Sequence, residues 1–533
     1  MKKSALPFFA AALTAVISGG LLGLEFFYPY ALICLAAFAV FCKKTSVNVN
    51  AAALMLAMSA AGFVMLFFGI NKEESAALFA KQCAFFSFFM LFSAASDREK
   101  AFFAFMDGIL CGALYCFAVN FAALLMGILP VTDGRRAFAL VINYPNALAA
   151  LFGVSFLWCV GRKKAIYVIF ALICAAGLLL TYCKAAVFTV LLLTAVFMLL
   201  SGKKIQGIAV FVLCAAAAAV FAARGMSFSS LLERTLYYRD ATSVFASYPF
   251  GCGGGGWSSV YTKFQSGFYA VKSVHSSFFA AMTDFGIVGI VLFLCAAAFF
   301  VRLYQRARRK NKNASDRIFL TASFLFLHSL VDCDADFPLF VFIFTACGCM
   351  LSYYCGDERE LVLPCGAKAA AWVLCAALLP MSLSYGFYAG GIASLSRGED
   401  SAASFETAAK LNPISSSALY MLGGITENTE KLEAAAAYDP MNAKYYAALC
   451  NVTSGEKRLE NARKLCELQP LAAEHYELLS ELLKENGDYD ELSKLSDTFD
   501  SVKKRINPIT YSLHPDIKFE KSKKFIENTG GNR

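Results

Sequence analysis

Apolar runs of about 20 residues recur from the first residues of this chain to about position 390. Only 16% of the residues are charged and 58% are hydrophobic, against about a quarter charged in soluble domains. Such runs suit a bilayer, where backbone polar groups must be satisfied inside each segment and helices do this best. The expected fold class is therefore all-α, a polytopic transmembrane helical bundle. The spans are placed at 6–25, 28–42, 51–70, 77–95, 101–129, 138–160, 165–182, 184–201, 205–222, 277–300, 318–331, 338–355 and 367–390, about 12–13 in all. The first run follows Met1-Lys2-Lys3. It lacks a convincing small-residue cleavage site and reads as a retained helix.

Charge placement orients the spans. Lys43-Lys44, Arg98 with Lys100, Arg162-Lys163-Lys164, Lys203-Lys204 and the block Arg302 to Lys312 fall in every second turn. The positive-inside rule assigns those turns to the cytoplasm. The loop 223–276 and the C-terminal tail are then extracytoplasmic, and the bundle is expected in the cytoplasmic (inner) membrane. Residues 1–390 carry a net charge of +13 and residues 391–533 one of −4. The cations sit in short turns between helices, which argues against nucleic acid. The 19 cysteines mostly lie inside apolar runs without zinc-like spacing and read as small buried hydrophobes. Cys252 and Cys333 flank polar stretches, and a disulfide between them stays open on count alone.

Composition divides the chain into 1–222 (N-terminal spans), 223–276 (large outer loop), 277–390 (C-terminal spans), 391–510 (helical repeats) and 511–533 (a basic tail expected to fray). In the repeat region Asn412-Pro413, Asp439-Pro440 and Gln469-Pro470 each follow a helical stretch, at intervals of 27 and 30 residues. Helices carrying Tyr420, Tyr445-Tyr446 and Tyr476 come after them. This pattern resembles the tetratricopeptide repeat, shortened from about 34 residues. Such arrays bind protein partners.

The longest polar interruption, 234–289, holds the chemistry candidates. His275 is either a general base for a hydroxyl or an interface histidine without a task. The guanidinium of Arg234 suits phosphate oxygens; Arg239 suits them equally or is surface charge. Gly253 to Gly256 form either an anion-binding nest or a flexible turn, and no Lys-Ser/Thr follows to make a nucleotide loop. Arg135-Arg136 and Lys184 lie at outer edges of spans, facing a polar cavity or snorkelling to headgroups. Asn143 and Asn146 flank Pro145, lining a cavity or starting a helix. Asp332, Asp334 and Asp336 follow His328; they either ligate a divalent ion or cap the helix and position His275, the latter being preferred.

Together these stretches resemble the O-antigen ligase and O-antigen polymerase family of membrane glycan transferases. Tyr144-Pro145-Asn146-Ala147 is similar to its Asn-Pro-Asn motif, and Cys183-Lys184-Ala185 falls where the family has Ser-Arg-Gly/Ala. Arg234, seven residues before Ala241, matches Arg-Leu-x-x-Trp-x-x-Ala. Tyr248-Pro249-Phe250-Gly251-Cys252-Gly253 resembles Asn-Pro-Leu-x-Gly-x-Gly. His275, followed by Gly286 and Gly289, resembles His-Asn-x-x-Leu with a downstream Gly-x-x-Gly. The departures are Lys184 for Arg, Ser276 for Asn and Tyr238 for Trp.

The resemblance implies transfer of a glycan from an undecaprenyl-pyrophosphate carrier to an acceptor hydroxyl on a glycan, lipid or protein. Arg234 and Lys184, with Arg239, would hold the pyrophosphate, and His275 would be the base. No cofactor and no metal are expected. The alternative is a multi-span lipid or polysaccharide transporter or flippase whose repeat tail binds a partner.

Overall fold

The computed structural model describes residues 5–530 apart from 133–134, 137, 161, 201, 203, 206, 213–214 and 216–228. The expected ninth span, 205–222, lies largely outside the described residues. What is described is almost wholly helical, with four short strands.

Among the described residues, seven helices are long and apolar enough to cross a membrane: Leu24–Phe41, Val49–Phe68, Lys72–Ser93, Arg98–Leu125, Ser277–Lys310, Pro338–Cys355 and Cys365–Ser396. They mark a multi-pass membrane protein. Other expected spans are shorter. The first stops at Ile17, because Gly19 and Gly20 take φ of 66° and 72°. The span expected to start at 138 begins as helix only at Pro145. Proline holds its predecessor out of the α region, and Tyr144 is extended at φ −155°. The resulting Pro145–Cys159 helix rises about 22 Å, less than the roughly 30 Å hydrocarbon core.

Polar residues end the runs as capping chemistry requires. The Asn48 side chain accepts from the amides of Asn50 and Ala51, Asn71 from Glu74, Asp97 from Lys100, and Asn311 from Ala314. At one end of the bundle, strands Lys44–Val47 and Arg359–Val362 pair antiparallel. Buried Arg98 ties them down through Glu358 and the Ser46 carbonyl. Asn71, Tyr144, His275, Asp332 and Ser415 come from turns at the other end, where Tyr144 bonds His275 and Asp332, Asn71 bonds Ser259 and Ser415 bonds Glu73.

The glycine run is neither a nest nor a flexible turn. Helix Ser277–Lys310 breaks at Gly286 (φ 61°, ψ −139°), which frees carbonyls upstream. Cys252 N donates to Thr283 O at 2.8 Å and Gly253 N to Asp284 O at 2.9 Å, while Ile287 N donates to Pro249 O at 2.9 Å. Gly254 N donates to Ser75 Oγ and Gly256 N to Gly253 O. With those amides engaged, little is left for an anion. A Cβ on Gly254 would overlap the Glu74 carbonyl, so the glycines permit close packing of backbones.

Beyond Ser396 the chain forms helix pairs around each Xaa-Pro stop, such as Ala402–Leu411 with Ser416–Thr426 and Gly455–Leu468 with Ala473–Asn486. This arc is docked on the bundle. Glu73, 2% exposed, accepts from Tyr385 Oη and Ser415 Oγ (2.7 Å each) and from Ser416 Oγ and Ser417 N (3.1 Å each). Of the stretch 511–533, expected to fray, the described residues 511–530 instead fold back: Phe519 stacks on Phe499 at 4.2 Å, and Phe525 is buried with them. Two phenylalanines among the lysines supply the apolar area that anchors it. Cys252 and Cys333 are both buried free thiols.

Candidate active site

Four stretches far apart in sequence converge on one carboxylate. Asp332 follows helix Lys312–Ser329 and is fully buried. Its Oδ1 accepts from Tyr144 Oη at 2.7 Å and Cys333 N at 2.8 Å. Its Oδ2 accepts from Asn146 Nδ2 at 2.6 Å and Arg234 Nη2 at 3.1 Å. The other terminal nitrogen of Arg234 donates to the Val331 carbonyl. Burial alone would push the Asp332 carboxyl up. The imidazoles of His275 and His328, Arg234 and the Tyr144 hydroxyl outweigh it and hold the group below the usual carboxylate range.

His275 sits beside this hub. Its Nδ1 is 3.1 Å from Tyr144 Oη and 3.7 Å from Asp332 Oδ1, so Asp332 acts on it through charge and through the tyrosine. A tyrosine has one hydroxyl hydrogen, and an ionised carboxylate only accepts. The short Tyr144–Asp332 bond takes that hydrogen. Tyr144 Oη therefore accepts from His275 Nδ1–H, and the neutral imidazole carries its lone pair on Nε2. Among the described residues Nε2 has no hydrogen-bond partner, and the side chain is 21% exposed. The arrangement orients a histidine base through a tyrosine held by a carboxylate.

The backbone of His275 is itself constrained. Its φ of 53° lies in the left-handed region, at a cost of about 1 kcal/mol for a residue with a Cβ. Tyr238 Oη donates to the His275 carbonyl at 2.9 Å, and the Tyr237 ring stacks on the imidazole at 5.7 Å. Both tyrosines lie on helix Ser229–Ser247 with Arg234. Ser276 caps the following helix, with its Oγ 3.5 Å from Phe279 N.

Of the residues marked in the sequence, His275, Arg234, Asp332 and Asn146 come together. Arg239 does not: five residues from Arg234, it is turned about 140° around the helix and exposed. Asn143 is exposed too, since the extended Tyr144 separates it from Asn146. Lys184 is exposed at the start of its helix; its neighbour Cys183 turns inward instead, with Sγ 3.6 Å from His328 Nε2. Arg135 and Arg136 form a backbone hairpin with Val131 and Thr132, and their side chains lie outside the described residues.

The three acids do not converge either. Asp334 pairs with His328 Nδ1 at 2.7 Å, Asp332 holds Arg234, and Asp336 lines a cavity. The loop they occupy reaches the segment after His275 through Ala335 N and Ser277 Oγ, as a positioning cap does. Donor atoms of His275, Asp332 and Cys333 lie within 4.8 Å of one another. A metal ion there would compete with Arg234, Tyr144 and Asn146 for one carboxylate.

No protein-family model matches this chain, and no curated protein matches it.

Two participants were not singled out from sequence. Tyr144 stands in the quoted Tyr-Pro-Asn stretch, but nothing local marks its hydroxyl as the link between Asp332 and His275. Lys81 lies within the apolar helix Lys72–Ser93, and a cation there is a signal in itself. It lines a cavity of about 340 Å³ between the helices. Asp284, Asp336 and Ser277 share that cavity with apolar side chains including Phe85, Phe293 and Phe340. Ser277 ties it to the site through the chain, two residues after His275, which does not itself line the cavity.

Proposed function

We propose that the chain is an integral membrane glycan transferase, similar to the O-antigen ligases and polymerases, that moves a glycan from an undecaprenyl-pyrophosphate carrier to an acceptor hydroxyl outside the cytoplasmic membrane. The observation carrying this reading is a histidine with a free Nε2, oriented by Tyr144 and Asp332, two residues before Ser277, which lines a largely apolar cavity between the helices.

The acceptor hydroxyl would give its proton to His275 Nε2 as its oxygen attacks the anomeric carbon. The bond from that carbon to the carrier phosphate breaks, and the pyrophosphate leaves on its lipid with the electron pair. Two of the five N–H donors of Arg234 are engaged, leaving three for phosphate oxygens. Lys81 adds a positive charge from the cavity side, and the apolar lining suits a polyprenyl chain. Arg239 and Lys184, exposed, have no part in this scheme. On this reading the outer end is the one bearing His275, and the arc is a trimmed tetratricopeptide-type array.

The test incubates purified protein with a polyprenyl-pyrophosphate oligosaccharide and candidate acceptors. Release of the lipid pyrophosphate and a glycosylated acceptor are expected, and folded His275→Ala protein should give neither. Full activity of that variant would remove His275 from its role. A transporter is the second reading, favoured by the break at Gly286, since interrupted helices recur in transporters. It predicts movement of the lipid-linked glycan across vesicles without covalent change.

A further inference from the structure

The arc does not end where it docks. After its last long helix, Tyr489–Arg505, the chain returns to the loop that carries the site. Asn507 N donates to Ser266 O at 2.7 Å, and Phe268 N donates to Thr510 Oγ1 at 2.7 Å. Thr510 is fully buried, and Tyr511 packs edge-on against Phe268 at 5.7 Å. Leu513 packs against the cluster of Leu236, Tyr237, Trp257, Tyr269 and Val274. His514 Nε2 lies 3.6 Å from Glu233 Oε1. Lys263 and Glu467 add an ion pair of 2.6 Å between loop and arc.

The gripped residues are the carriers of the site. Glu233 adjoins Arg234, and Tyr237 stacks on His275. Ser266 and Phe268 lie seven to nine residues before His275, and Val274, its neighbour, is in the cluster that Leu513 covers. Glu73 clamps the arc at its beginning. The loop is thus held between the bundle on one side and residues 507–514 on the other. The Phe268 amide has its acceptor only if Thr510 is in place.

We propose that residues 507–514 are a positioning clasp, through which the arc holds Arg234 and His275 in register with Asp332. The arc therefore serves its own chain's site. The effect on turnover rests on the glycan-transfer reading; the effect on loop order does not.

The experiment measures hydrogen exchange of the intact protein in nanodiscs, for peptides spanning 264–276 and 229–247. Thr510→Val keeps the shape of the side chain and removes the acceptor. Exchange in 264–276 should quicken by about tenfold, the equivalent of one buried hydrogen bond. Thr510→Ser, which restores the oxygen, should return it to the wild-type rate. Gly267→Val is a second wedge, since a Cβ there would meet Leu236 Cδ1 at 2.9 Å and Thr510 Oγ1 at 3.1 Å. Where transfer is measurable, kcat should fall about tenfold in Thr510→Val and return in Thr510→Ser. Wild-type exchange in both Thr510→Val and Gly267→Val overturns the clasp, as does faster exchange with unchanged kcat. If the wild type transfers no glycan, the transferase reading fails by itself, and exchange in the two peptides still decides whether the clasp exists.

Discussion

Asp332→Asn probes the hub most sharply, because the change is nearly isosteric. The carboxylate serves four N–H and O–H donors, two on each oxygen, besides the Cys333 thiol on Oδ1. An asparagine has one oxygen and one NH2 group, so either rotamer sets two donors against a donor. If the NH2 faces Oδ1's partners, Tyr144 and the Cys333 amide lose their acceptor. If it faces Oδ2's, Arg234 and Asn146 do. In both cases Arg234, 16% exposed, loses its countercharge. Removing one member of a buried pair costs about 3–5 kcal/mol, and a total stability of about 5–15 kcal/mol can absorb that. The variant should fold but be measurably weaker in denaturant unfolding. If the loss falls on local order, each 1.4 kcal/mol is tenfold, so kcat for glycan transfer should drop about 10²–10³-fold.

The pH dependence has a definite sign. The Asp332 carboxyl is depressed in the folded protein, so its contribution is present above the unfolded value of about 3.9 and is lost as pH falls through the lower folded value. Wild-type protein should keep this contribution at pH 5, and the variant should lack it there and at pH 7 alike. Asp332→Asn protein that unfolds within about 0.5 kcal/mol of wild type, with unchanged kcat, would refute the hub.

Gly254→Ala should destabilise the protein by about 1–3 kcal/mol, because its Cβ meets the Glu74 carbonyl, whereas Gly386→Ala, with nothing within 4 Å, should be nearly neutral or slightly stabilising. Equal unfolding midpoints for the two would show that the glycine run is not closely packed. Glu73→Gln should leave at least one of four converging donors without an acceptor, costing about 1–3 kcal/mol. Limited proteolysis should then cut faster near residues 397–401, and an unchanged digest would count against the clamp.

What the sequence determined by itself is what depends on near neighbours. Helix positions follow from the length of apolar runs, and their ends from Asn48, Asn71, Asp97 and Asn311, each of which caps a helix through its own side chain. Pro145 set the start of its helix in the same way. His275, Arg234, Asn146 and Asp332 were legible as residue types that are costly to leave idle near a membrane. Their mutual arrangement was not legible, because Arg234 and Asp332 are 98 residues apart, and Tyr144 is 131 from His275 and 188 from Asp332. Whether a polar side chain joins such a cluster depends on which face of its element turns inward, and packing decides that. Hence Arg234 entered the site while Arg239 did not, and Cys183 turned inward while Lys184 stayed exposed. Only the tertiary structure returned the last residues of the arc to the loop, because burial of Phe268, Phe519 and Phe525 needs surfaces that distant segments build together.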